Sequence, residues 1–312
     1  MGSKIIIDTD PGQDDAVAIL LALASPEDLE VLAITAVAGN VPLPLTAVNS
    51  LKMVELAGRP EVPVYAGCDR PMVRPLITAE YVHGKTGLDG ADLPDPVTPL
   101  APGHAVDRII DLVMDNEPGT VTICPLGPLT NVGVALARAP EIAPRLGGIV
   151  LMGGGFFEGG NTTPAAEFNI YVDPQAADIV FRSGVPITVM SLDVTHRALM
   201  VPRHLDRFAA MGTRLGTAVH GLLTFYERYD VEKYGMEGGP LHDPCVIAYL
   251  LRPGLFGGRN VNVEIETQSE LTMGMTVVDW WGMTDRPRNA RWMRTIDSDG
   301  FFDLLVERLG RL

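Results

Sequence analysis

Short apolar runs alternate with longer stretches of helical apolar spacing along most of this chain. The runs at Lys4–Asp8, Glu30–Val37, Val62–Tyr65, Thr120–Cys124, Gly148–Met152 and Pro186–Ser191 are rich in β-branched residues, which predicts buried strands. Amphipathic helices separate most of them, and the longest apolar run, Ala16 to Ala24, predicts a helix after the first strand. The alternation predicts an α/β fold, an open and mostly parallel sheet with helices on both faces, whose ligands bind beyond the carboxyl ends of the strands. Between Cys68 and Gly103, Pro71, Pro75, Pro94, Pro96, Pro99 and Pro102 break any regular element, and so long a loop predicts an active-site lid. Beyond Thr195 the chain turns mainly helical, from Pro202 to Tyr234 with an interruption near Gly212. Two strands, Val261–Glu266 and Met275–Asp279, extend the sheet edge, and a last helix spans Gly300–Leu309. No repeat, low-complexity tract or compositional break marks a linker, so a single domain over residues 1–312 is expected.

Polar residues interrupt this apolar pattern just after the strands. The first strand runs into Asp8-Thr9-Asp10-Pro11-Gly12-Gln13-Asp14-Asp15, four aspartates in eight residues. Carboxylates about 5 Å apart repel by roughly 3 kcal/mol per pair at an effective dielectric of about 20, so the cluster needs a cation or shared protons. Helix capping by Asp14 and dipole compensation by Asp15 explain at most two of the four. A hard divalent ion explains them all. Asn40 follows the second strand, Leu126-Gly127-Pro128 the fourth, and Gly153-Gly154-Gly155 the fifth. Gly153 to Gly160 does not satisfy the dinucleotide fingerprint, because Glu158 occupies the last required glycine.

Composition narrows the partners. The chain has 312 residues, is 46% hydrophobic and carries a formal charge of -15. That charge repels nucleic-acid phosphates and anionic membranes, so neither is an expected partner. No apolar run is long enough to span a bilayer and no signal peptide is apparent, which makes a cytoplasmic address the default expectation. Cys68, Cys124 and Cys245 are odd in number and far apart, signalling neither a disulfide framework nor a zinc site.

Two rival activities use the same residues. Asp8-Thr9-Asp10 also fits a phosphohydrolase of the haloacid-dehalogenase type, with Asp8 as nucleophile and Asp10 as acid. Gly12 departs from that pattern, and its later acidic metal motif has only Asp297-Ser298-Asp299-Gly300 as a counterpart. A non-catalytic protein that keeps the same contacts for binding alone is the other rival. Taken singly, the remaining signals have plain explanations. Asp243 before Pro244 is often only a helix cap, Met152 core filling, His83 a surface loop residue, and Tyr226, Asp230 and Tyr234 an amphipathic stripe.

Taken together, six blocks make the chain resemble the inosine-uridine preferring nucleoside hydrolases: Asp8 to Ala16, Ala38-Gly39-Asn40, Pro125 to Asn131, Met152-Gly153-Gly154, Glu167-Phe168-Asn169 and His242-Asp243. They cover nearly the whole chain in the right order. The resemblance implies a Rossmann-like core and hydrolysis of the N-glycosidic bond of ribonucleosides to ribose and free base. It implies Ca²⁺ held by Asp10, Asp15, Asp243 and the Leu126 carbonyl, with Asp14 as general base and His242 as proton donor to the leaving base. Asn40, Asn161, Glu167 and Asn169 would grip the ribose, with Met152 beneath it. His83, Phe168, Tyr226, Asp230 and Tyr234 would border the base. A homodimer or homotetramer is implied as well, whereas purine and pyrimidine bases are not ranked; on this resemblance the non-catalytic rival becomes a calcium-dependent nucleoside-binding protein.

Overall fold

The computed structural model describes residues 2–235 and 237–312, with the side chains of Asp230 and Tyr234 outside the described set. Eleven strands are present among the described residues: β1 (Ser3–Thr9), β2 (Leu29–Ala36), β3 (Val64–Ala66), β4 (Val121–Pro125), β5 (Gly148–Met152), β6 (Ile187–Met190), β7 (Leu199–Met200), β8 (Gly239–Pro240), β9 (Phe256–Ile265), β10 (Thr276–Asp279) and β11 (Ala290–Ile296). Nine of them form one sheet in the order β10-β9-β11-β6-β5-β4-β1-β2-β3. From β11 to β3 neighbours run parallel, whereas β9 and β10 are antiparallel additions at one edge. The chain leaves β1 toward β2 and β3, then returns to β4 on its other side. The β1/β4 boundary is therefore the topological switch point, where a crevice opens beyond the strand ends.

Alternation along β1 shows how the sheet is covered. Ile5 and Ile7 pack into one buried cluster, Ile6 into the other, and all three are fully buried. The first cluster is built with α1 (Gln13–Leu23) and α2 (Leu43–Leu56). The second uses α4 (Ala105–Asp115), α5 (Thr130–Arg138) and α7 (Pro174–Arg182), and short α3 (Glu80–His83) and α6 (Phe168–Val172) interrupt the loops between. After β6 come α8 (Leu192–Thr195), α9 (Pro202–Ala209), α10 (Arg214–Tyr234) and α11 (Pro244–Leu251), and α12 (Ser298–Leu309) closes the fold on the side of α1. No helix among the described residues is long and apolar enough to cross a membrane.

Every strand expected from the sequence is present within a few residues of its expected ends. The long proline-rich segment is irregular apart from α3. Three strands escaped the sequence pattern: the two-residue β7 and β8, which pair with each other, and β11. β11 lies between β6 and β9, and its central residues Arg291, Met293 and Arg294 mix charge with apolar side chains. Its buried Trp292 and Met293 face core, while Arg291 stays exposed.

Trp292 also discloses a buried polar anchor. Asp193, in the short α8, is buried; its Oδ2 accepts from the indole Nε1 of Trp292 at 2.7 Å. Its Oδ1 accepts from the backbone N–H groups of Phe156, Phe157 and Glu158 at 3.2, 2.8 and 2.9 Å. One carboxylate thus ties the loop after β5 to the segment after β6 and to β11. Replacing Asp193 by Ala strands an indole and three amide donors, and is expected to lower stability by about 3 kcal/mol. Urea unfolding should show a lower midpoint at unchanged slope; a midpoint equal to the wild type refutes the anchor.

Candidate active site

The aspartate-rich segment falls at the switch point because β1 stops at Thr9 and α1 starts at Gln13. Gly12, not Asp14, is the residue that caps α1, and Asp15 Oδ2 accepts from the Gly12 N–H at 3.0 Å. Asp15 Oδ1 accepts from Thr9 Oγ1 at 2.5 Å, and the amide of Asn40 reaches Asp15 Oδ2 at 3.2 Å. Asp243 precedes Pro244 at the start of α11, yet its carboxylate makes no capping bond. It turns instead to the other end of the chain: one oxygen each of Asp14, Asp15 and Asp243 lie within 4.8 Å of one another, all three residues buried.

Asp10 borders this group. Its Oδ2 accepts from the Asn40 N–H at 2.7 Å, whereas Oδ1 is buried without a hydrogen-bond partner among the described residues. A Cβ on Gly39 would strike Oδ2 and one on Gly127 would strike Oδ1, so both glycines are required by the close approach of this carboxylate. Burial raises Asp10, Asp14 and Asp243, and the charge of neighbouring acids adds to it. Asp14 is raised to about 7 by burial and then by Asp15; Asp10 by burial and then Asp15; Asp243 by burial and then Asp14.

These residues fit a hard divalent cation. The donors are all oxygen, an orphaned carboxylate oxygen is available on Asp10, and the charges that most disturb Asp10 and Asp243 are those of neighbouring acids. Asp8 belongs to a different environment. Its Oδ1 accepts from Thr35 Oγ1 at 2.5 Å and Asn131 Nδ2 at 2.8 Å, it is fully buried, and burial raises it to about 7. Away from the cavity, it has no access to a phosphate ester, which removes the nucleophile of the phosphohydrolase alternative.

A cavity of about 390 Å³ opens over the aspartates. All but four of the residues singled out from the sequence line it. The exceptions are Asp10 and Asp15, fully buried beside the lining carboxylates, and Asp230 and Tyr234, whose side chains lie outside the described residues. Asn169 Nδ2 donates to the Leu126 carbonyl at 2.6 Å and approaches the Met152 carbonyl and sulfur at 3.3 and 3.4 Å. Glu167 caps α6. Its oxygens accept from the backbone of Gly154, Asn169 and Ile170, and burial raises its pKa despite those bonds. Asn161 Oδ1 accepts from the Phe168 N–H at 3.0 Å.

Two of the three histidines at this cavity, His242 and His83, are held by neutral partners. His242 Nδ1 lies 2.7 Å from Thr195 Oγ1, and burial, reinforced by His196 and His83, holds its pKa well below the usual range. His83 Nδ1 lies 2.8 Å from Gln13 Oε1, its ring stacks on Tyr226 with centroids 5.6 Å apart, and burial lowers its pKa to about 3. The Gln13 amide also donates to the His83 and Asp89 carbonyls at 2.9 and 3.0 Å, fastening the proline-rich segment over the first helix. His83 is thus a buried wall of the cavity, not a surface loop residue.

Sequence reasoning passed over several lining or supporting residues: Gln13, Glu158, Thr195, His196 and Tyr229. A signal existed for Thr195 and His196. They follow β6, and the rule that flagged residues just after parallel strands applies to them equally. Tyr229, one turn from Tyr226 on α10, lines the cavity and packs on Tyr81 at 5.5 Å between centroids.

Comparison with known proteins agrees with this geometry. Residues 5–303 match the inosine-uridine preferring nucleoside hydrolase family. The pyrimidine-specific ribonucleoside hydrolase RihA of Photobacterium profundum is 49% identical over 311 residues, covering 99% of both chains. An uncharacterised protein of Schizosaccharomyces pombe is 56% identical over 309 residues, again with 99% of each chain covered. Among solved structures, the purine-preferring ribonucleoside hydrolase of Gardnerella vaginalis superposes with a TM-score of 0.92 at 33% identity, over 98% of both chains. With its parallel sheet and acidic crevice, the chain belongs to the inosine-uridine preferring nucleoside hydrolases, and it hydrolyses the N-glycosidic bond of ribonucleosides.

Proposed function

We propose that this chain is a Ca²⁺-dependent hydrolase of pyrimidine ribonucleosides, with Asp10, Asp15, Asp243 and the Leu126 carbonyl as the metal's protein ligands. The observation that carries the metal reading is the convergence of buried carboxylates from the two ends of the chain, with an orphaned oxygen on Asp10 beside them. Pyrimidine preference rests on whole-length relatives named pyrimidine-specific, 49% and 48% identical. Bound there, Ca²⁺ supplies positive charge that offsets the carboxylate repulsion, anchors ribose hydroxyls and acidifies water.

Asp14 is the general base. It lines the cavity, with a carboxylate oxygen within 4.8 Å of those of Asp15 and Asp243, where it can take a proton from water beside the metal site. Tyr226 Oη, 3.5 Å from Asp14 Oδ2, steadies it from the lid side. Positive charge builds on the sugar as the glycosidic bond breaks, and the Met152 sulfur and Asn169 side chain offer electron density beneath the ring. Asn40, Asn161, Glu167 and Asn169 hold the ribose, so binding of the unreacting hydroxyls orients the reacting carbon. His242, kept neutral by its surroundings, donates a hydrogen bond to the departing base. His83, Phe168 and Tyr226 enclose that base; the side chains of Asp230 and Tyr234, also expected to contact it, lie outside the described residues.

The same reading takes residues 1–312 as one domain, since a single sheet runs from β1 to β11. It takes the active form as a homodimer or homotetramer, with exposed Leu271, Trp281 and Met283 near the sheet edge as contact surface. A net charge of -15 disfavours nucleic acid and membranes as partners, and the three unpaired cysteines suit the cytoplasm.

Reducing-sugar release from uridine, cytidine and inosine, with and without chelator, tests the whole reading. Uridine and cytidine turnover is expected to exceed that of inosine, to vanish with chelator and to return with calcium. Calcium at a hundredfold excess over its Kd should stabilise the chelated protein by about 2.7 kcal/mol, and turnover indifferent to chelation overturns the metal reading. Asp14→Asn is expected to lower kcat at least about 100-fold while leaving binding of a non-hydrolysable nucleoside nearly intact. Calorimetry beside steady-state kinetics would expose the contrary result, lost binding at normal turnover. For His83 the sign follows from its lowered pKa. The folded state resists its protonation, so its contribution is complete above about pH 6.5 and is lost as pH falls toward 3, by up to about 1.4 kcal/mol per pH unit. His83→Asn should flatten stability against pH on the acid side, as measured by urea unfolding; identical slopes refute the buried neutral imidazole.

A further inference from the structure

Two ionisable side chains of the cavity have no part in the mechanism above. Glu158 Oε2 and His196 Nδ1 lie 3.4 Å apart, and both residues line the cavity. Their side chains retain 40% and 27% exposure, so an ion pair between them contributes little to stability. Their backbones are nonetheless held firmly. The Glu158 N–H donates to buried Asp193 at 2.9 Å, and His196 ends α8, which contains Asp193, with its own N–H on the Leu192 carbonyl at 3.0 Å. One buried carboxylate thereby sets the relative position of two side chains from different loops. Rigid placement of an exposed acid beside an exposed imidazole is what a reading head for a polar ligand edge requires.

Their location relative to the sugar end of the cavity specifies the ligand edge. Asp14, Asn40 and Asp243 mark one pole. His242 follows next, and its ring centroid lies 5.7 Å from that of His196, which in turn contacts Glu158. A nucleoside with its ribose at the carboxylate pole and its glycosidic bond near His242 directs the far edge of its base toward His196 and Glu158. On a pyrimidine that edge carries a ring N–H or amino donor beside a carbonyl or ring-nitrogen acceptor. A carboxylate only accepts, so Glu158 matches the donor on that edge, and an imidazole whose Nδ1–H faces the carboxylate fixes its direction. Among the described residues His196 Nε2 and Glu158 Oε1 have no hydrogen-bond partner, leaving both for a ligand.

We infer that Glu158 and His196 form a specificity pair that reads the distal polar edge of a pyrimidine base; this rests on the nucleoside hydrolase reading of the same cavity. Glu158 accepts from the base N–H, and the His196 Nδ1–H holds that carboxylate in place through their 3.4 Å contact. The discriminating probe is 3-methyluridine, which keeps the ribose, the glycosidic bond and the carbonyls of uridine but lacks the N3 donor.

Wild-type enzyme is expected to prefer uridine over 3-methyluridine in kcat/KM by about 10- to 100-fold, the range of a hydrogen bond to a charged group. In Glu158→Ala and in His196→Ala that ratio should fall by about 10-fold or more, chiefly through KM for uridine. Glu158→Gln, which keeps an acceptor oxygen without the charge, should recover part of it. A purely structural role lowers both substrates alike and leaves the ratio unchanged. An unchanged ratio in both alanine variants, with ribose release from uridine still measurable, overturns the pair's role alone. Absence of ribose release from both uridine and cytidine with wild-type enzyme and calcium overturns the pyrimidine reading, and this inference with it.

Discussion

Repulsion among carboxylates in a dry crevice is the constraint around which the fold is arranged. Asp10, Asp14, Asp15 and Asp243 are buried together, and each additional negative charge there raises the cost of the others. The surroundings answer with oriented neutral donors: the Thr9 hydroxyl, the Asn40 amide and backbone N–H, and the Gly12 N–H. Those donors fix where the oxygens point without cancelling the charge. The residual field is what gives such a site affinity for a hard cation.

The sheet makes that crowding feasible. Strand order reverses beside β1, so the loops after β1 and β4 diverge and leave a crevice in which side chains from residues 14, 15 and 243 meet. Two glycines, Gly39 and Gly127, flank Asp10 because any side chain would collide with its oxygens. Across the cavity a second buried carboxylate works in the opposite sense. Asp193 is fully supplied with donors from Trp292 and three backbone amides, and its charge is spent on holding loops together. Two sets of buried acids thus differ in one respect, the number of donors each receives, and one is suited to a cation while the other is suited to architecture.

Neutrality of the cavity histidines follows from the same dryness. Burial lowers both His83 and His242, and each ring nitrogen finds an uncharged partner, Gln13 or Thr195, in place of a carboxylate. A neutral imidazole donates a hydrogen bond without adding positive charge beside a sugar that itself becomes positive as the glycosidic bond breaks. Gln13 stands out here. Lying between acidic residues of the opening motif, it clamps the proline-rich segment through the His83 and Asp89 carbonyls, and so couples the acidic end of the site to that segment.

The linear pattern carried what depends on local chemistry. Apolar runs located β1 to β6, β9 and β10, because a buried parallel strand must be continuously apolar. The density of aspartates after β1 announced an acidic site that could hold a cation, because such crowded charge needs compensation. Family blocks such as Glu167-Phe168-Asn169 and His242-Asp243 pointed to residues that do line one cavity. Only the tertiary structure decided which distant residues meet. β11 was missed since charged Arg291 and Arg294 flank its buried Trp292 and Met293, and only pairing with β6 and β9 makes those positions a strand. Asp193 looked like any polar residue of a short helix, and Glu158 looked like a missing glycine. Their roles arise from hydrogen bonds spanning dozens of residues, and spacing along a chain does not encode the directions in which loops from separate strands return to a common crevice.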